Sequence, residues 1–261
     1  MVKPQRVFNR TALITGASAG LGAEFARQLA ADGYDLVLVA RRLEKLEAVA
    51  EQIRQQRADC VIHCIEADLG DAAAPAEIQA QCQGLGVQVD YLVNNAGAAG
   101  PDLLDGTPWP KQAAYTQLMM VSVAEMVHRF VPAMLEQGFG RVINVSSVAG
   151  RIIQQNSTSY GPTKAYLIAL SESMAALRKQ GVNVSALCPG FTHTEFHDQS
   201  NALKDMKAGT PSWVWYSAEE VVAEGIRAVE KGHPIYVSGR LYRWLDPILQ
   251  MPWVRALVRR A

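Results

Sequence analysis

A tyrosine and a lysine lie four residues apart in the stretch SYGPTKAYL, residues 159–167. On a helix this spacing puts Tyr160 and Lys164 on one face, one turn apart. Tyrosine has a pKa of about 10, and a cation a few ångströms away lowers such a pKa by about 1–3 units. The pair therefore predicts a proton donor, with Lys164 making Tyr160 the better acid. A surface pair is the alternative, but it fits poorly with the apolar residues 165–170.

A glycine-rich turn, TGASAGLG (15–22), follows the first apolar run of the chain. Gly16, Gly20 and Gly22 allow a tight turn and a close approach of the backbone to a ligand. Free N–H groups at the start of the following helix attract phosphate, and Ser18 can add a hydroxyl donor. The turn predicts a dinucleotide site, although an ordinary strand–helix turn can have the same composition.

The second apolar run ends in VARR, in which Arg41 and Arg42 follow Ala40. At this turn a carboxylate would accept from the adenosine 2′-hydroxyl, whereas a basic side chain pairs with a 2′-phosphate. Because the turn has two guanidinium groups and no carboxylate, we expect NADP(H) to be preferred and NAD(H) to be possible. Two solvated charges at a helix start are the alternative, but cations are disfavoured at that end of a helix.

Short apolar runs alternate with longer helical patterns along most of the chain. Residues 11–15 and 35–40 are apolar on both faces, which is typical of buried parallel strands. Repeated strand–helix alternation implies right-handed crossovers and a parallel sheet with helices on both faces. The predicted fold class is therefore α/β: a single doubly wound Rossmann domain spanning residues 1–261.

The regular pattern ends after Gly190. Residues 191–216 are rich in aromatic side chains without clear periodicity, and we interpret them as a lid over the substrate. Ser217 and Glu220 form a capping box that predicts a helix start. The tail, residues 240–261, combines five arginines with two tryptophans. It could lie on a membrane surface, but packing against protein is favoured because isolated short helices are marginal.

Composition limits the class of protein. Hydrophobic residues make up 49%, and 25 basic residues balance 25 acidic ones, which indicates a large core and argues against nucleic-acid binding. The four cysteines show no disulfide spacing, and neither CVIHC nor HTEFH has the spacing of a metal site. No signal peptide or run of about 18 apolar residues is evident. We expect a soluble, cytoplasmic protein without a metal.

Three further fragments complete a family resemblance: NNAG (94–97), NVSS (144–147) and PGFTHT (189–194). Together with the glycine turn and Tyr-x-x-x-Lys, they resemble the short-chain dehydrogenase/reductase family over about residues 8–240. The resemblance implies a seven-stranded parallel sheet and an NAD(P)-dependent oxidoreductase that acts on a small-molecule carbonyl or alcohol. It also implies a homodimer or homotetramer.

The resemblance assigns roles to individual residues. Catalysis would rest on Ser147, thirteen residues before the tyrosine, together with Tyr160 and Lys164. Asp68 and Leu69 would lie near the adenine. The residues expected to bind the cofactor are Gly16, Ser18, Gly20, Leu21, Gly22, Arg41, Asp68, Leu69, Asn95, Tyr160, Lys164, Pro189, Gly190, Thr192 and Thr194.

One position departs from the family pattern. The family places an asparagine midway along the long fourth helix, where it holds a water that links the lysine to solvent. Here the context is MMVSVAEM, and Ser122 is predicted to fill that role as a fourth catalytic residue. A serine has a shorter reach, so a catalytically weak dinucleotide-binding regulatory or scaffold protein is the second hypothesis. The aromatic lid favours an apolar, medium-to-large substrate.

Overall fold

The computed structural model describes residues 10–152, 157–194, 209–251 and 254. Within them, seven strands form one sheet in the order β3-β2-β1-β4-β5-β6-β7, and all neighbouring strands are parallel. The strands are β1 (Thr11–Thr15), β2 (Asp35–Ala40), β3 (Ile62–Glu66), β4 (Val89–Asn94), β5 (Gly140–Val145), β6 (Val182–Cys188) and β7 (Ile235–Val237). The prediction of a seven-stranded parallel sheet is confirmed.

Helices connect the strands. They are α1 (Gly20–Ala31), α2 (Leu43–Gln56), α3 (Ala74–Gly84), α4 (Trp109–Thr116), α5 (Ser122–Gln137), α6 (Tyr160–Ser173), α7 (Ala218–Glu230) and α8 (Arg240–Leu249). A π-helical segment, Gln117–Val121, joins α4 to α5. Three short 3-10 helices cover Val148–Gly150, Ala175–Gln180 and Ser212–Val214.

Helices cover both faces of the sheet. Phe25 of α1 and Val222 of α7 belong to one buried cluster, together with Ile14 of β1. The neighbouring strand residue Leu13 points to the other face, where it joins a cluster that contains Met126 of α5. The side chains of successive strand residues thus pack into two separate cores, one on each face of the sheet, which is why the strands are apolar throughout. The predicted doubly wound α/β fold is confirmed.

The order of the strands reverses at β1. Strand β1 lies between β2 and β4, with Ile14 opposite Val93. After β1 the chain turns to one face of the sheet, and after β4 it turns to the other face. A crevice therefore opens between the carboxyl ends of these two strands. Ligands of open parallel sheets bind at such a point.

The helical stretch Trp109–Gln137 runs from α4 to α5 and is long and apolar enough, by length and composition alone, to cross a membrane. In this domain Met126 and Met134 are fully buried, and Phe130 is 7% exposed. These side chains join the core against the sheet. The stretch is therefore a core element of the domain, and its apolar composition follows from that burial.

The structure describes the ends of the predicted lid and the first half of the tail; residues 195–208, 252–253 and 255–261 lie outside the described residues. The capping box is present: the Glu220 N–H donates to Ser217 Oγ at 3.2 Å, and the Ser217 N–H donates to the Glu220 carboxylate at 3.4 Å. In the tail, α8 packs on its own chain, as the bidentate Arg151–Asp246 ion pair shows.

Candidate active site

The glycine turn joins β1 to α1 at the crevice. Gly16 has a φ of +65°, in the left-handed region that favours glycine. A Cβ on Gly22 would overlap the carbonyl oxygen of Gly16, so the packing of the turn requires a glycine there. Helix α1 begins at Gly20, and its N-cap Ala19 has no side chain to accept from the first-turn N–H groups. The turn therefore presents main-chain donors and a positive helix end to an anion.

Thr15 and Asn95 fix the shape of this turn. Thr15 Oγ1 accepts from the N–H groups of Asn95 and Ala96, both at 3.0 Å. The Asn95 side-chain amide donates to the carbonyl oxygens of Thr15 at 2.9 Å and Gly16 at 3.3 Å. Asn95 was expected to bind the cofactor; in the structure its amide group holds the glycine turn against β4. Thr15 was not predicted, although its place at the carboxyl end of β1 is a signal.

Two arginines lie at the end of β2. An Arg42 nitrogen lies 3.3 Å from Ser18 Oγ, which links this end to the glycine turn. Arg41 lies 4.0 Å from Asp68, and both side chains are more than half exposed. The turn itself has no carboxylate, as the sequence shows, but β3 runs beside β2 and brings Asp68 to the same edge, where it competes for Arg41. Leu69, the next residue, is buried.

Ser147 and Tyr160 meet at the carboxyl end of β5. Ser147 caps the short helix Val148–Gly150 and accepts from the Ala149 N–H at 3.1 Å. Tyr160 is the first residue of α6 and is half-buried. Burial raises the pKa of Tyr160, and a hydrogen bond with the Ser147 side chain opposes that shift. The net effect favours the neutral phenol, the form that can donate a proton.

Lys164 lies one turn further along α6 and is 5% exposed. Its Nζ donates to the carbonyl oxygen of Val145 at 2.9 Å and lies 5.7 Å from the centroid of the Tyr160 ring. Burial lowers the pKa of Lys164 to about 8. The expectation that Lys164 lowers the pKa of Tyr160 is not met, because burial and the hydrogen bond with Ser147 determine the tyrosine pKa.

A buried polar network fixes α6 to the sheet. The Asn94 amide donates to the Asn144 side chain, and the Asn144 amide donates to Ser171 Oγ, both at 2.9 Å. Ser146 Oγ donates to the carbonyl oxygen of Lys164 at 2.7 Å. These bonds connect β4, β5 and α6, and so they set the position of the tyrosine–lysine face relative to Ser147. The network was not predicted, although polar residues at the ends of apolar strands point to it.

The π-helical segment changes the hydrogen bonds that Ser122 makes. The Ser122 N–H bonds to the carbonyl oxygen of Gln117, and Ser122 Oγ donates to that of Leu118 at 2.8 Å. A Cβ placed on Gly97 would lie 3.4 Å from Met119 Sδ and 3.8 Å from Lys164 Nζ. Met119 and Lys164 thus both lie next to Gly97, and the Ser122 hydroxyl bonds to its own helix. A catalytic role for Ser122 stays a prediction.

The segment after β6 closes the other side of the site. The carbonyl oxygen of Pro189 accepts from the Val148 N–H at 3.0 Å, which joins this segment to the Ser147 turn. Thr192 Oγ1 donates to the carbonyl oxygen of Gly190 at 3.1 Å. A Cβ on Gly20 would lie 3.3 Å from the Thr194 side chain, so Thr194 faces the glycine turn. The structure thus brings the residues predicted from four strand ends into one crevice.

The part of the chain that the structure describes contains no cluster of side chains suited to binding a metal ion. No group of three or more histidine, cysteine or acidic side chains lies together there. His193, from the HTEFH stretch, instead stacks on Trp215 with ring centroids 5.1 Å apart. The arrangement as a whole can bind a dinucleotide at the glycine turn and present a phenol and a hydroxyl to a second ligand.

Known proteins share this sequence and fold. A family profile described as short chain dehydrogenase matches residues 10–205. The 3-oxoacyl-acyl-carrier-protein reductase FabG of Staphylococcus aureus is 31% identical over 237 residues, covering 88% of this chain and 94% of that protein. A short-chain dehydrogenase from Sphingobium yanoikuyae in complex with NADPH has a TM-score of 0.76 at 27% identity, covering 92% and 94%. A 7beta-hydroxysteroid dehydrogenase has a TM-score of 0.85 at 25% identity and covers 96% of both chains.

Proposed function

The chain belongs to the short-chain dehydrogenase/reductase family and is an oxidoreductase, and on that premise we propose that it reduces a ketone or aldehyde with NADPH. The observation that carries the proposal is the meeting of Ser147, Tyr160 and Lys164 beside a glycine-lined phosphate site. The reverse reaction, oxidation of an alcohol, uses the same groups in the opposite direction.

The residues of the crevice fit a bound dinucleotide. Gly16, Gly20 and the start of α1 offer N–H groups and close backbone approach to the pyrophosphate. Thr194 lies against that turn from the opposite side. An ammonium has three N–H donors, so Lys164 has donors beyond the one given to Val145 with which to bind ribose hydroxyls. When bound, NADPH supplies the hydride.

The protein groups supply the proton and hold the substrate. The Ser147 hydroxyl binds the carbonyl oxygen and stabilises the negative charge that develops on it. The neutral Tyr160 phenol donates its proton to that oxygen, which completes the alcohol. The hydrogen bond with the Ser147 side chain stabilises the resulting phenolate. For alcohol oxidation the tyrosine must start as phenolate, so that direction is favoured by higher pH.

The choice of NADPH over NADH rests on Arg41 and Arg42. Both lie at the carboxyl end of β2, and Arg42 reaches Ser18 of the glycine turn. Asp68 weakens the case for Arg41, but an exposed pair 4.0 Å apart contributes little and can be displaced by a phosphate. The NADPH complex of the Sphingobium relative supports the assignment.

An apolar, medium-to-large substrate is the best fit to the mouth of the site. Leu103 and Leu104 follow β4 and are 55% and 88% exposed, and Trp213 of the lid is 69% exposed. These side chains come from loops at the carboxyl edge of the sheet, where Tyr160 lies. The names of the relatives, an acyl-thioester reductase and a hydroxysteroid dehydrogenase, are consistent with this substrate class.

We expect a homodimer or homotetramer in the cytoplasm, with no nucleic acid and no membrane bound. The four cysteines are free, which fits a reducing compartment. Tail residues 240–251 pack on the protein itself, which is the arrangement expected without a membrane. Sedimentation of the purified protein measures the oligomeric state.

A second candidate is a dinucleotide-binding regulatory or scaffold protein with weak catalysis. It is favoured by Ser122, which stands where the family has an asparagine and whose hydroxyl donates to the Leu118 carbonyl oxygen of its own helix. The deciding experiment measures NADPH oxidation with a panel of ketones and aldehydes, together with NADPH affinity. Turnover that is lost in Tyr160→Phe supports the reductase. NADPH binding without turnover of any panel member favours the scaffold.

A further inference from the structure

The two described ends of the lid form a paired stem, residues 191–194 and 212–216. Thr192 and Tyr216 form a parallel bridge. The Tyr216 N–H donates to the carbonyl oxygen of Phe191, and the His193 N–H donates to that of Tyr216, both at 3.0 Å. The rings of Phe191 and His193 each stack on Trp215 with centroids 5.1 Å apart. Whatever path the lid takes, it starts and ends at this lid stem.

Tyr242 of α8 bonds to both sides of the lid stem. Its hydroxyl accepts from the Phe191 N–H at 3.3 Å and donates to the carbonyl oxygen of Val214 at 3.0 Å. The ring lies so close to Gly190 that a Cβ there would overlap it. Helix α8 also donates a main-chain hydrogen bond to the lid stem, from the Leu241 N–H to the Tyr216 hydroxyl at 3.1 Å.

The far end of α8 holds the turn that carries Ser147. Arg151 follows the short helix capped by Ser147, and its guanidinium donates to both carboxylate oxygens of Asp246, at 2.9 and 2.6 Å. Gln250 donates to the carbonyl oxygen of Arg151 at 2.9 Å. The Arg151 and Asp246 side chains are 20% and 17% exposed. A bidentate, largely buried pair of this kind fixes geometry as well as charge.

We propose that α8 is a positioning element that sets the distance between the lid stem and Ser147, with Tyr242 as the residue that determines which substrate sizes are accepted. The inference rests on the proposed reductase function and extends it to substrate selection. One rigid helix, ten residues long, is bonded at one end to the lid stem and at the other to the serine turn. A change at Tyr242 therefore moves one wall of the substrate site relative to the other.

The first test compares bulky and small substrates in Tyr242→Phe. The substitution keeps the ring against Gly190 and removes the two hydroxyl bonds. We expect kcat/KM for a bulky polycyclic ketone to fall about 3- to 10-fold, through KM, with a small aliphatic aldehyde changed less than 2-fold. Asp246→Asn should act in the same direction. Equal changes for both substrates, or none, would overturn the proposal.

Tyr236→Phe is the matched control. The Tyr236 hydroxyl also contacts α8, since Arg243 donates to it, but this bond lies away from the lid stem. We expect no change in the ratio of kcat/KM between the bulky and the small substrate. A loss of selectivity in this variant would mean that a bond to α8 outside its two attachment points has the same effect, which contradicts the specific roles of Tyr242 and Asp246.

Hydrogen exchange in the absence of substrate separates this inference from the proposed function. In Tyr242→Phe the Phe191 amide loses its acceptor, so we expect it to exchange about 3- to 10-fold faster, while amides of β5 are unchanged. This measurement does not depend on turnover. If no carbonyl compound is turned over, the proposed function is overturned, but the exchange of the Phe191 amide still tests the role of α8. An unchanged Phe191 amide would show that α8 does not hold the lid stem.

Discussion

The Nζ atom of Lys164 donates to the main-chain oxygen of Val145 at 2.9 Å, and the lysine side chain is 5% exposed. The charge that the site needs therefore lies inside the protein, bonded to the last residue of β5. Burial lowers the pKa of this lysine to about 8. Holding an ammonium there opposes the stability of the folded protein.

Replacing this lysine should stabilise the ligand-free protein in a pH-dependent way. An unfolded lysine has a pKa of about 10.4, so between pH about 8 and about 10.4 the unfolded chain binds a proton that the folded lysine has lost. Wild-type stability therefore rises with pH across this window, by up to about 3 kcal/mol. Lys164→Met lacks this titrating group. Its free energy of unfolding should therefore exceed that of the wild type most at pH 7, and the difference should shrink toward pH 9.5.

Chemical denaturation at pH 7, 8.5 and 9.5 measures the effect. Lys179→Met, at an exposed position of the short helix after α6, is the control and should show no advantage that changes with pH. An advantage of Lys164→Met that is the same at all three values would contradict a buried lysine that titrates near pH 8.

Ser122→Ala should affect stability more than catalysis. In a regular α-helix the Ser122 N–H would donate to the Leu118 carbonyl oxygen, but at the π-helical segment it donates to that of Gln117. The Ser122 hydroxyl donates to the Leu118 carbonyl oxygen in its place. Removing a buried hydrogen bond costs about 1–3 kcal/mol. We expect a loss in this range in the free energy of unfolding, with turnover within about tenfold of wild type.

Ser173→Ala is the matched change, because the Ser173 hydroxyl also donates to a carbonyl of its own helix, that of Leu170 at 2.8 Å, but at an exposed position. It should cost less stability than Ser122→Ala. A hundredfold loss of turnover in Ser122→Ala at unchanged stability would instead assign Ser122 to the proton path.

The arginines at the end of β2 should determine the choice of cofactor. A charge-assisted hydrogen bond contributes about 1.5–3 kcal/mol, so we expect NADPH to bind on the order of ten- to a hundred-fold more tightly than NADH. Arg41→Ala and Arg42→Ala should each weaken NADPH binding and leave NADH binding nearly unchanged. Dissociation constants measured by cofactor fluorescence test this.

Arg54→Ala on α2 is the control, since this arginine pairs with Glu47 of the same helix. It should leave both dissociation constants unchanged. Equal affinities of the wild type for the two cofactors would remove the basis for the assignment of NADPH.

Much of the site could be predicted because it lies on neighbouring strand ends. Gly16, Asn95, Ser147 and Pro189 each follow a buried strand, and the carboxyl ends of parallel strands meet at one edge. Tyr160 and Lys164 follow from local helical spacing alone. The glycine turn and the tyrosine–lysine pair were predicted from local composition and spacing, whereas Asn95, Ser147 and Pro189 were assigned by the family resemblance.

The rest depends on contacts that the order along the chain does not contain. Ser122 is buried as expected, but the π-helical segment shifts the main-chain hydrogen bonds there, and the Ser122 hydroxyl donates to the Leu118 carbonyl oxygen of its own helix. Asp68 meets Arg41 only because β3 pairs beside β2.

The contact between Arg151 and Asp246 joins residues 95 positions apart and is equally invisible to local patterns. The pKa of Tyr160 could not be predicted either, because it depends on how deeply the phenol is buried. The helical spacing predicted the role of Tyr160 as a proton donor, whereas its pKa depends on burial, which only the folded structure shows.

The central claim is that Tyr160 gives its proton to the substrate oxygen. A single-turnover measurement of NADPH oxidation, with enzyme in excess of a ketone that the wild type reduces, tests it directly in wild type, Tyr160→Phe and the control Tyr166→Phe on the same helix. We predict that Tyr160→Phe slows the reaction by about 10²–10⁴-fold with NADPH affinity unchanged, and that Tyr166→Phe stays near wild type. A Tyr160→Phe rate within about tenfold of wild type would contradict the claim.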